Sequence, residues 1–95
     1  MLLNRKFLQT SKFKYVWTSD NGVGEYAKKL YNVKVDRSDG YEVLHFIQEF
    51  LTKYKLNVFE KNIHLIENIM HSGELSSIVM KDQLNRTIAK RLRLI

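Results

Sequence analysis

The sequence predicts an α+β fold in which a small N-terminal β element, over about 13–18 and 31–36, packs on three helices over about 39–54, 57–71 and 74–93. Three observations lead there. The stretch "KFKYVW" alternates strictly, putting Phe13, Tyr15 and Trp17 on one side and Lys12, Lys14 and Val16 on the other. From Ser38 onward the apolar period changes from two to 3.6. Capping residues and glycines then divide the helical part into three. An all-α arrangement is the alternative, and it would need Phe13 to Trp17 to be helical, against the alternation.

Taken in order, the aromatic run over 13–18 reads as a strand, because branched and aromatic side chains suit a pleated, half-covered surface. "TSDNGVG" ends it with residues that favour turns. "EYAKKLY" is a short helical pattern, and in "LYNVKVD" Tyr31, Val33 and Val35 alternate again, giving the second strand. The first long helix opens with Asp39 as N-cap and Glu42 at its third position, a capping-box spacing, and Tyr41, Leu44, Ile47, Leu51 and Tyr54 form its apolar face. Asn57, with Glu60 three residues later, marks the second helix; Phe59, Ile63, Ile66 and Met70 form its stripe and Gly73 its C-cap. The third has Leu75, Ile78, Leu84, Ile88, Leu92 and Ile95 as an inner face, interrupted near Lys81 and Asp82, where a bend or restart is expected.

Ninety-five residues suit one small globular domain, and 44% apolar with 27% charged residues excludes the composition of a disordered chain. There is no cysteine, so disulfides, thiolate nucleophiles and cysteine-type zinc sites are excluded, and a reducing compartment is favoured. Arg5 and Lys6 interrupt "MLLNRKFLQT" before any secretory apolar core forms, and no run is long enough to span a bilayer. A cytoplasmic protein without a membrane partner is the expectation.

The charge is unevenly placed. Residues 1–19 carry Arg5, Lys6, Lys12 and Lys14, and residues 86–95 carry Arg86, Lys90, Arg91 and Arg93, with no acid in either stretch. The intervening chain holds eight basic and ten acidic side chains, so the whole excess over neutrality, +6, comes from the two ends. If the termini meet, they make one basic face suited to phosphate.

Other motifs point less clearly to chemistry. "GVGEYA" places Gly22, Gly24 and Ala27 as in a dinucleotide-binding turn, with Asp36 further on, but the intervening helix is too short for a crossover and a simple turn is expected. His64, Glu67 and His71 fall on one line of the second helix, extended by Glu60. Such a set could ligate a metal, yet it lacks a fourth donor unless His45 or a partner supplies it, and a solvated polar face is the simpler expectation. "IENIMHSGELSSIVMKDQ" has a helix-turn-helix outline around Gly73 and Val79, weakened by Ile69 where a small residue belongs and by acids in the recognition segment. Core placement of at least two of Phe13, Tyr15 and Trp17 is expected, against a base-stacking platform, because a chain this short needs them for its core.

The expected function is therefore that of a small non-enzymatic, cofactor-free regulatory module. It would bind nucleic acid through phosphate contacts from Arg5, Lys6, Lys12, Lys14, Arg86, Lys90, Arg91 and Arg93, with little base specificity. A small metal-independent ribonuclease built from His, Lys and Arg would leave no motif, so catalysis stays open. The alternative is an adaptor or inhibitor of phage or mobile-element type whose basic face docks on an acidic protein. A homo-oligomer is compatible with either.

Overall fold

The computed structural model describes residues 5–17 and 34–95. These contain three α-helices, α1 (Gly40–Lys53), α2 (Glu60–Met70) and α3 (Lys81–Arg91), with 3₁₀ turns at Arg5–Phe7 and Gly73–Leu75. Among the described residues there is no strand, only two isolated bridges: Val16 with Asp39, parallel, and Lys34 with Met80, antiparallel. The architecture is thus mostly helical, and the expected α+β arrangement is corrected in favour of the all-α alternative. The glycine pattern at Gly22, Gly24 and Ala27, the short helix expected over 25–31 and residues 31–33, the first half of the second expected strand, lie outside the described residues.

The alternation in "KFKYVW" is nevertheless obeyed. Phe13, Tyr15 and Trp17 are half-buried while Lys12, Lys14 and Val16 are exposed. Alternation requires only that one side of an extended segment be covered, and here helices supply the cover instead of a neighbouring strand. The Val16 N–H donates to the Ser38 carbonyl and the Gly40 N–H to the Val16 carbonyl, both at 2.8 Å, fastening the segment to the start of α1. Trp17 lies against Gly40, where an added Cβ would overlap the six-membered ring of the indole. Tyr41 meets the same indole edge-on at 5.1 Å. Tyr15 and Trp17 both pack against the core, so the aromatic row is a wall of the fold.

Helix α1 starts where its cap predicts, with the Asp39 carboxylate accepting from the Tyr41 N–H at 3.0 Å. The Glu42 carboxylate reaches back past the cap to the Asp36 N–H at 3.1 Å, tying the preceding turn to the helix. Val43, Leu44, Phe46, Ile47, Phe50 and Leu51 are buried. The helix ends in a Schellman motif: Lys55 adopts φ 54°, its N–H donates to Thr52, and the Leu56 N–H donates to the Leu51 carbonyl at 2.9 Å.

The second helix is shorter at both ends than the pattern predicts. Asn57 does not cap it; the Asn57 carbonyl instead accepts from the Asn62 side-chain amide at 2.9 Å, and Phe59 takes the N-cap position. Gly73 opens a 3₁₀ turn instead of closing the helix, which ends at Met70. Residues 71–80 separate α2 from α3, too many for the three- or four-residue turn of a helix-turn-helix, and the expected recognition segment is not helical before Lys81. The restart expected near Lys81 is where α3 begins. Ile63, Ile66, Ile69 and Met70 of α2 and Leu84, Ile88 and Ala89 of α3 complete the core. No helix among the described residues is long and apolar enough to cross a membrane.

Candidate functional site

The eight cations of the two acid-free ends are placed unequally. Arg5 opens the first 3₁₀ turn and Lys6 follows it on the surface. Lys12, in the turn over residues 10–12, and Lys14, just beyond it, are exposed; the Lys12 ammonium donates to Asn68 Oδ1 at 2.9 Å and sits 5.3 Å from the Phe13 ring. Arg86 and Lys90 are exposed and one helical turn apart on α3, so the structure brings these two together. Arg91 is ion-paired with Glu74. Arg93 is not in the expected row, because α3 ends at Arg91 and a second Schellman motif holds Arg93 at φ 59°. There the Leu94 N–H donates to the Ala89 carbonyl at 2.8 Å. The side chains of Lys14, Arg86, Lys90 and Arg93 have neither a hydrogen bond nor an ion pair among the described residues. The N-terminal cations ride on a segment packed against α2, and the C-terminal ones on α3, which also packs against α2.

The polar line of α2 is not the solvated face expected of it. Glu67 is wholly buried, because residues 9–15 lie across this side of the helix. Both carboxyl oxygens accept from the Gln9 N–H, at 3.0 and 3.1 Å; the Gln9 side-chain amide adds a bond at 3.0 Å and the Tyr15 hydroxyl one at 2.5 Å. The Tyr15 oxygen lies 2.9 Å from His71 Nε2. With the phenolic proton given to Glu67, the imidazole must donate, so His71 carries its proton on Nε2. Phe13 stacks on that imidazole, with centroids 4.1 Å apart.

Burial sets the chemistry of this cluster. It pushes the Tyr15 hydroxyl far above its ordinary ionisation range, reinforced by the hydrogen bond to Glu67 and by that residue's charge. It also lowers the proton affinity of His71, opposed by Glu67 and assisted by the cation at Arg37. Tyr15 therefore stays a neutral donor, and the two groups cannot readily exchange a proton near neutrality. Since both Glu67 oxygens are occupied and none of the residue is exposed, the cluster clasps the N-terminal segment and presents no base to a substrate. The signal was in the sequence: Glu67 stands four residues after Ile63 and three before Met70, inside the apolar stripe.

Neither does the line assemble a metal site. His64 Nε2 lies 3.0 Å from the Phe7 carbonyl and 3.6 Å from Glu60, His71 faces Tyr15, and no metal-binding group of three such side chains occurs among the described residues. Two further charged contacts are structural. The Arg37 guanidinium donates to the carbonyls of Leu75, at 2.8 Å, and Ile78, pinning the connection between α2 and α3. Glu49 joins α1 to α3 through Lys81 at 2.6 Å and lies 3.4 Å from His45 of its own helix. No protein-family model, curated protein or solved structure matches this chain.

Proposed function

We propose that the protein is a small non-enzymatic module that binds nucleic acid through its phosphates, using the cations of its two ends with Arg86 and Lys90 at the centre of the contact. The observation that carries this is the exposed Arg86 and Lys90, side by side on α3 and unpaired among the described residues, while Lys81, outside the acid-free ends, is held by Glu49. Exposed cations with no internal partner lose little on meeting phosphate and release its counterions.

Binding of a labelled mixed-sequence oligonucleotide, single-stranded and then duplex, tests it across salt concentrations. About six phosphate contacts should cost roughly 10³ in affinity between about 50 and 200 mM salt. Arg86→Glu combined with Lys90→Glu should abolish binding with the circular dichroism spectrum unchanged, since both side chains are exposed. Wild-type affinity in that double variant overturns the assignment. A second reading, an adaptor or inhibitor docking on an acidic protein, is favoured by the exposed side chains of Val58 and Phe59, just before α2, and of Leu65 at its middle. Such an interface would lose association rate with salt more than lifetime.

A further inference from the structure

A cleft of about 480 Å3 lies between the C-terminal end of α1 and the outer side of α3, lined by Lys53, Tyr54, Asp82, Asn85, Arg86 and Ile95. Its volume falls within the roughly 300–1,000 Å3 of small-molecule sites. The groups in it are unusually uncommitted. Asp82 and Arg86 stand one turn apart on α3 yet form no ion pair, and neither has another partner among the described residues. The Tyr54 hydroxyl donates to Asn85 Oδ1 at 3.0 Å, which fixes the amide and leaves its NH2 as the unused end. The Lys53 ammonium sits 5.6 Å from the Tyr54 ring centroid. One carboxylate acceptor, one amide donor, two cations, an aromatic ring and an aliphatic wall thus meet in one place.

We propose that this cleft takes a single unpaired guanine nucleotide, a step that rests on the nucleic-acid reading above and sharpens it. A simple anion would suit Lys53 and Arg86 but be repelled by Asp82, and a simple cation the reverse, so the ligand carries a negative group together with hydrogen-bond donors. A nucleotide does. Among the bases only guanine shows two adjacent N–H donors, N1–H and N2–H, on its Watson–Crick edge, with the O6 acceptor beside them. Asp82 accepts the two donors, the Asn85 NH2 donates to O6, and Lys53 and Arg86 meet the phosphate. Adenine, cytosine and uracil each turn a ring acceptor or carbonyl toward the carboxylate in place of one donor. The edge is hidden in a duplex, so the source is either an unpaired base in a strand or a free nucleotide.

The test is titration of the full chain, followed by amide NMR, with GMP, AMP, UMP and inorganic phosphate. It is joined by binding of an all-thymine strand and of the same strand with one central guanine. GMP should move the Asn85 side-chain amide and the Tyr54 and Asp82 signals, and bind at least tenfold more tightly than AMP, UMP or phosphate. Asp82→Asn, at an exposed position that leaves the core intact, should remove that preference without weakening the all-thymine strand. A wild-type preference for the guanine-bearing strand assigns the ligand to a strand; equal binding of both strands beside selective GMP binding assigns it to the free nucleotide. GMP binding no tighter than phosphate, or guanine preference surviving Asp82→Asn, overturns the proposal. If salt-sensitive binding of the all-thymine strand persists in that case, only the cleft assignment falls; if no strand binds at any salt, the nucleic-acid reading itself falls.

Discussion

Replacing Tyr15 with phenylalanine isolates the clasp that holds the N-terminal segment. The ring stays, with its edge contact to Trp17 at 5.9 Å and its tilted contact to Phe13 at 6.5 Å, so only the hydroxyl is lost. That hydroxyl donates to Glu67 Oε2 at 2.5 Å and faces His71 Nε2 at 2.9 Å. A hydrogen bond to a charged, buried acceptor contributes about 1.5–3 kcal/mol. Glu67 Oε2 keeps the Gln9 N–H at 3.1 Å, so the carboxylate is not orphaned, and a loss near 2 kcal/mol is expected. For a domain of this size that is a fall in Tm of about 8–16 °C. Thermal and urea unfolding followed by circular dichroism would read it. Glu67→Gln should cost more, about 3 kcal/mol, since either amide orientation sets a donor against one of the chain's own donors with no water to relieve it. The double variant should then lose less than the sum, because both changes remove the same bond. A Tyr15→Phe loss under about 0.5 kcal/mol, or strict additivity with Glu67→Gln, would refute the clasp.

Two further outcomes follow from the same contacts. Burial lowers the proton affinity of His71 and of His45, the latter also disfavoured by Lys81 and opposed by Glu49, so the unfolded chain binds protons more readily than the folded one. Stability should therefore be full above the ordinary value of 6.5 and fall as pH drops below it toward the lowered folded values; urea midpoints compared at about pH 7 and pH 5 measure this, and His71→Gln should flatten the dependence. Lys55 holds a left-handed conformation that costs a side chain roughly 1 kcal/mol and a glycine much less. Lys55→Gly should raise stability by about 0.5–1 kcal/mol, read as a higher urea midpoint with an unchanged slope.

The helices were legible as existing elements because buried faces of a helix repeat at 3.6 residues whatever lies opposite, and Asp39 marked one start correctly. Their ends were less so. Asn57 and Gly73 have the right chemistry for caps, but Asn57 takes part through its backbone, and the chain closes two helices with Lys55 and Arg93 at positions that usually signal themselves by glycine. Alternation in "KFKYVW" reported that one side of the segment is covered and could not say by what; a helix start and a strand leave the same imprint on Phe13, Tyr15 and Trp17. Glu67 was misassigned because its spacing to His64 and His71 describes a polar line as well as its spacing to Ile63 and Met70 describes an apolar one. Only the arrival of Gln9 and Tyr15 from far along the chain decides between them, and local pattern holds no record of that.

The structure also changes how the charge count should be used. Counting residues makes Arg91 equal to Arg86, yet Arg91 is joined to Glu74 and Arg86 to nothing among the described residues. The difference is small in energy, because the Arg91 and Glu74 side chains are 38% and 74% exposed and such surface pairs are worth about 0–1 kcal/mol. A phosphate approaching α3 can take Arg91 from Glu74 at that cost, but it then leaves an exposed carboxylate close by, whose repulsion persists within a Debye length of about 8–10 Å. Lys90 incurs neither penalty, while Arg86 has no pair to break but keeps the exposed Asp82 carboxylate one turn away on α3. The order in which these cations contribute to binding is therefore set by where the acids of the central region end up: Glu67 folded inward beneath the N-terminal segment, Glu49 held by Lys81, Asp82 exposed one turn from Arg86, and Glu74 left at the edge of the surface that a polyanion would meet.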